Sequence, residues 1–82
     1  MESLIKEKLL VSFGQLLRKV RLNKGLSYRE LAQQCDVDHS QISKIEKGQV
    51  SIQLTTLFEL AQGLNIHPKE LIDIDFKLEE KS

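Results

Sequence analysis

Cysteine and proline occur once each and histidine twice in these 82 residues, and each scarcity excludes something. A lone Cys35 forms no internal disulfide. His39 and His67 stand 28 positions apart and make no metal-ligand cluster. No apolar run approaches the roughly 20 residues that cross a bilayer, so no membrane segment is expected. The opening residues, MESLIKEKLLVSF, set acids and lysines among apolar side chains and lack a small-residue cleavage site. They do not read as a signal peptide, and the expected location is cytoplasmic. Catalytic groups are missing too: there is no nucleophile and base with a third group to orient them, and no glycine-rich phosphate loop. Neither an enzyme nor a cofactor is expected. Cys35 reads as a buried, inert thiol rather than a partner of His39 or His67.

What remains is a chain with 40% hydrophobic and 29% charged residues, the composition of one globular domain with a single modest core. Its net charge is zero, but the charge is unevenly spread. Arg18, Lys19, Arg21, Lys24, Arg29, Lys44 and Lys47 outnumber the four acids between Arg18 and Lys47, whereas from Glu59 onward six acids face three lysines. Such a distribution favours one surface meeting phosphates, with the acidic end directed away.

The most informative stretch is Ser27 to Gly48, SYRELAQQCDVDHSQISKIEKG. Ser27 and Glu30 have the spacing of a capping box, so a helix is predicted from Tyr28, with Leu26 and Leu31 placed as a hydrophobic staple. Asp38 and Gln41 repeat that grammar, and Val37 with Ile42 repeats the staple. Only Asp36, Val37 and Asp38 lie between the two helices. Asp36 is expected to take the left-handed conformation that such a corner usually needs. The second helix, about His39 to Lys47, places Ile42 and Ile45 on one side and His39, Ser40, Ser43, Lys44 and Lys47 on another. A helix held by its inner face and offering short polar and basic side chains outward has the form of a major-groove reader. The bland alternative is an amphipathic helix with a solvated outer face.

Around this pair the chain reads as further helices. Phe13, Leu16, Leu17 and Val20 follow one helical face, with Ser12 as the expected N-cap and Gly25 as the left-handed terminus. The residues before Ser12 form a weaker pattern that extends this helix or lies over a partner subunit. Ala32 is small enough for a close helix crossing. Leu54, Leu57, Phe58, Ala61 and Leu64 give a fourth helix, with Ser51 as its expected cap and Asn65 as its left-handed end. Pro68 opens a short fifth one carrying Leu71, Ile72 and Ile74. The expected fold is therefore all-α, a five-helix bundle. Residues 1–11 extend the first helix, 12–74 form the domain with its motif at 27–48, and 75–82 are a charged tail. Arg21 and Glu46 both fall at the inner edge of their helices. A half-buried acid costs several kcal/mol unpaired, so the two are expected to form an ion pair.

From about Phe13 to Ile74 the chain resembles the Xre family, the phage repressor and Cro type of helix-turn-helix domain. The matching positions are Arg21, Gly25-Leu26-Ser27, Glu30-Leu31-Ala32, Val37, Ile42-Ser43-Lys44-Ile45-Glu46, Gly48, Leu54, Thr56-Leu57, Leu60-Ala61, Leu64, Pro68 and Glu70-Leu71. The resemblance implies a lambda-repressor-like fold whose third helix enters the major groove. It also implies a homodimer on a near-palindromic operator in double-stranded DNA, and an arginine–glutamate pair at Arg21 and Glu46. By position, His39, Ser40, Ser43 and Lys44 would face base edges, and Arg18, Gln41, Lys47, Gln49 and Ser51 would lie near phosphates. Tyr28 stands where the family usually has a glutamine on the DNA backbone, Asp36 replaces a turn glycine and Ile52 a proline. The implied function is transcription regulation by a small stand-alone protein: a phage-type repressor, a restriction-modification controller or an antitoxin, with polymerase or a toxin as the further partner. The dimer surface is expected at the fifth helix, Phe76 and the N-terminal extension. The alternative is a protein-interaction module, antitoxin-like or an adaptor, that keeps the fold and binds little or no DNA.

Overall fold

The structure is a computed structural model that describes residues 2–74. It contains α1 (Ser3–Asn23), α2 (Tyr28–Gln33), α3 (His39–Glu46) and α4 (Leu54–Leu64), followed by one 3-10 turn at Pro68–Leu71. Four α-helices rather than five make up the described part of this all-helical fold. The expected fifth is only a turn, although it opens as a longer helix would, with Pro68 at its start and a capping box in which His67 Nδ1 accepts from the Lys69 N–H and Glu70 Oε2 from the His67 N–H. The Ile72 N–H then closes an i to i−3 bond on Lys69, and the chain leaves helical geometry.

One core unites the elements. Leu17 of α1, Leu31 of α2, Ile42 and Ile45 of α3, Leu60 and Leu64 of α4 and Leu71 of the turn are all fully enclosed. α1 packs on α3 and on the 3-10 turn, while α2 packs on α3 and α4. Two of these crossings are set by glycine. A Cβ on Gly14 would sit 2.5 Å from the carbonyl oxygens of both Ile45 and Glu46, and one on Gly63 would sit 2.9 Å from Cys35 Cβ. Ala32, expected to serve a close crossing, is half-buried; the close approaches that leave no room for a Cβ fall at Gly14, Gly48 and Gly63.

Helix ends follow a shared logic, with four departures from expectation. Gly25 and Gly48 both have φ +72° and Asn65 has φ +56°. At each, two backbone N–H groups fold back onto open carbonyls, as in Leu26 to Arg21 and Gln49 to Lys44, the arrangement that left-handed closing residues permit. The departures concern starts and corners. α1 runs unbroken through Ser12 to begin at Ser3, because Ile5 and Leu9 continue at intervals of four the stripe of Phe13 and Leu17. Ser51 caps nothing, since Ile52 packs against the core and α4 starts after Gln53. Asn65 alone among described non-glycine residues has positive φ, so Asp36 is not left-handed; instead its N–H donates to Glu59 Oε2 at 3.1 Å, which ties the α2–α3 corner to α4. Asp38 occupies the N-cap position of α3 without a side-chain cap bond, and no capping box with Gln41 forms.

Candidate nucleic-acid interface

The pose of α3 is set from three sides. At its start, α2 is fixed by the Ser27–Glu30 capping box: the Glu30 N–H donates to Ser27 Oγ at 3.1 Å and the Ser27 N–H to Glu30 Oε1 at 3.0 Å. Those bonds hold the Glu30 carboxyl below its ordinary pKa. At its end, the carbonyls of Ile45 and Glu46 abut Gly14 of α1. Between them lies Arg21, which donates from Nε to Glu46 Oε2 at 2.6 Å and from Nη2 to Glu46 Oε1 at 3.0 Å. Its Nη1 donates to the Leu26 carbonyl at 2.6 Å, and the Tyr28 ring lies 4.3 Å beneath its Cζ. One guanidinium thus joins α1, the α1–α2 corner, the first residue of α2 and the last of α3. The bidentate bond to Glu46 raises the Arg21 pKa above its ordinary value, so the guanidinium stays protonated.

With Ile42, Ile45 and Glu46 buried, the rest of α3 faces outward. At 100° per residue, Ser40, Ser43, Lys44 and Lys47 fall within an arc of about 100°, with His39 at its edge. Ser40, Gln41, Lys44 and Lys47 are exposed, and His39 and Ser43 are half-buried. Gln49 and Ser51 are exposed on the loop that follows α3, and Arg18 is exposed on α1 one turn beyond Gly14. Tyr28 is half-buried, with one ring face committed to Arg21. The residues singled out in the sequence therefore come from α1, α2, α3 and the loop after it, with six of them on α3 or at its C-cap. Gly14 escaped the sequence reading as a positioning residue; its signal is a glycine inside an otherwise continuous helical pattern.

Cys35 takes no part in this face. Its Sγ donates to the Leu31 carbonyl at 3.3 Å, and burial raises its pKa, which keeps it a thiol. No helix among the described residues is long and apolar enough to cross a membrane.

Two short helices braced by a third and by a buried ion pair, the second of them presenting a polar and basic face, define a helix-turn-helix domain. The comparisons with known proteins agree. The family model described as Helix-turn-helix matches residues 17–71, and the chain belongs to that family, in its Xre branch of DNA-binding transcription regulators. It is 37% identical over 62 residues to the control protein C.BamHI of Bacillus amyloliquefaciens, covering 74% of this chain and 76% of that one. It is 34% identical over 56 residues to a hypothetical transcription factor of Neisseria meningitidis serogroup B, covering 68% of this chain and 53% of the relative. Among solved structures it is similar to the restriction-modification controller protein C.AhdI from Aeromonas hydrophila. That match has a TM-score of 0.74 and 44% identity, and it covers 76% of this chain and 94% of the other.

Proposed function

We propose that the chain acts in the cytoplasm as a homodimeric transcription regulator that places α3 of each subunit in the major groove of a near-palindromic operator. The observation that carries this reading is the division of α3: Ile42, Ile45 and Glu46 are buried, while Ser40, Lys44 and Lys47 are exposed along one arc. On this reading His39, Ser40, Ser43 and Lys44 meet base edges, and Lys44 donates to guanine O6 and N7. Arg18, Tyr28, Gln41, Lys47, Gln49 and Ser51 meet phosphates, which positions the helix without reading sequence. Of the three regulatory roles that such small proteins fill, control of a restriction-modification system is the best supported, because relatives at 37% and 44% identity bear that description or the name of control protein. Polymerase is then the protein that a bound dimer would recruit or exclude.

The dimer surface we assign to exposed apolar residues of α4 and of the segment after the 3-10 turn. Leu54 and Phe58, one turn apart on α4, and Ile72 are more than half exposed. Leu54 and Ile72 line a groove of about 480 Å³ together with Leu9, Phe13, Ile52, Leu57 and Ile74. An apolar surface of this kind is costly in water and favours self-association. Phe76, also expected at this interface, lies outside the described residues. Sedimentation at micromolar concentration tests the assembly: a dimer is expected, and a monomer counts against it. Selection of bound duplexes from a random library tests the DNA reading, with half-sites about one helical turn apart as the expected result.

A further inference from the structure

The first turn of α3 contains a contact that the groove-reading scheme leaves unused. Asp38, at the N-cap position, makes no side-chain bond to the helix backbone. Its Oδ2 accepts from Ser40 Oγ at 2.5 Å, a charge-assisted length, and its Oδ1 lies 3.3 Å from His39 Nδ1. Both carboxylate oxygens are therefore engaged by neighbours on the reading face. The Ser40 bond is also the main reason that Asp38 is held below the ordinary carboxylate pKa.

A serine hydroxyl has one proton and two lone pairs, and left free it reads a base edge as donor or acceptor alike. Here the proton is committed to Asp38. What Ser40 turns toward the groove is acceptor only. We infer that Asp38 is a positioning residue for sequence recognition: by taking the Ser40 proton it restricts that serine to a base presenting an amino donor, adenine N6 or cytosine N4. Guanine and thymine offer acceptors at O6, N7 and O4, and an acceptor-only hydroxyl rejects them. This inference rests on the operator-binding reading above and adds to it which bases Ser40 reads.

Random duplex libraries selected with the wild-type chain, Ser40→Ala and Asp38→Ala test it, with the melting temperature of each chain measured alongside. The base that Ser40 faces is the one whose preference changes in Ser40→Ala. There the wild type is expected to select adenine or cytosine on one strand, paired with thymine or guanine on the other, over the reversed pairs, at a preference of roughly two- to tenfold, the range for one net hydrogen bond. Asp38→Ala is expected to admit the reversed base pairs at that position, with the melting temperature unchanged and the consensus unchanged wherever neither Ser40 nor His39 faces the groove. A wild-type position that mixes an amino base with a keto base on the same strand, no position affected by Ser40→Ala, or an Asp38→Ala consensus identical to wild type overturns the inference. So does an Asp38→Ala chain that melts several degrees lower with its base preferences intact, since that assigns Asp38 to helix stability. These results leave operator binding standing, whereas a wild-type chain that enriches no duplex removes that reading and this inference together.

Discussion

Replacing Arg21 by alanine removes one partner of a pair whose side chains are 7% and 2% exposed. The Glu46 carboxylate is then left enclosed with neither of its bonds at 2.6 and 3.0 Å, and the Leu26 carbonyl loses its donor as well. Orphaning one member of a buried ion pair costs about 3–5 kcal/mol. For a domain of this size each kcal/mol lowers the melting temperature by about 4–8 °C. Circular dichroism of Arg21→Ala at fixed protein concentration should therefore show a fall of at least roughly 12 °C. The double replacement Arg21→Met with Glu46→Leu supplies the control. It removes the charge from both sides, and apolar substitutes for a buried pair are often neutral or stabilising, so it should melt far closer to wild type than either single variant. An Arg21→Ala chain that melts within about 2 °C of wild type, a difference worth well under 1 kcal/mol, would show that Glu46 needs no buried partner.

Other perturbations probe the remaining supports. Gly14→Ala should lower stability by about 1–3 kcal/mol through overpacking, because its Cβ would lie 2.5 Å from two carbonyl oxygens of α3; thermal melting measures the loss, and operator affinity should fall as α3 is displaced. Ser27→Ala should cost about 1 kcal/mol from loss of the α2 cap, measured by urea titration. Since Glu30 has a lowered pKa in the folded chain, its contribution is complete above the ordinary carboxylate range and is lost as pH falls through the folded value. The difference in melting temperature between wild type and Glu30→Gln should accordingly be larger at pH 7 than at pH 3. Replacing Leu54 and Phe58 together by aspartate should leave a folded monomer, which sedimentation would show directly.

Much of the fold was legible because the decisive signals are local. The capping box at Ser27 and Glu30, the helical stripes of Phe13 and Leu17 or Leu57 and Ala61, and the closing residues Gly25 and Asn65 each depend on a few neighbouring positions. Arg21 and Glu46 are 25 residues apart, yet each betrays itself as a charge placed at an apolar boundary. Features decided by tertiary contact were not legible. Asp36 needs no left-handed corner because Glu59, on another helix, accepts its N–H. Asp38 has the chemistry of an N-cap, but Ser40 competes for its carboxylate. Ser12 has a capping side chain, but the apolar stripe simply continues upstream of it. Gly14 and Gly63 are legible only as unexplained glycines until the opposing backbone and Cys35 are in place. The positions on the outer face of α3 were visible as a pattern, since periodicity reports which side of a helix faces away from the core.

Whether the outer face of α3 binds DNA is tested most directly by a fluorescence anisotropy titration of a selected duplex across a range of salt concentrations. The wild-type chain should bind more weakly as salt rises, and Lys47→Ala should reduce the logarithmic salt slope by about 1 per subunit, with the melting temperature unchanged. Lys44→Ala combined with Lys47→Ala should abolish specific binding altogether. Unaltered affinity in that double variant, or no duplex bound by the wild type at low salt, would show that this face does not bind DNA.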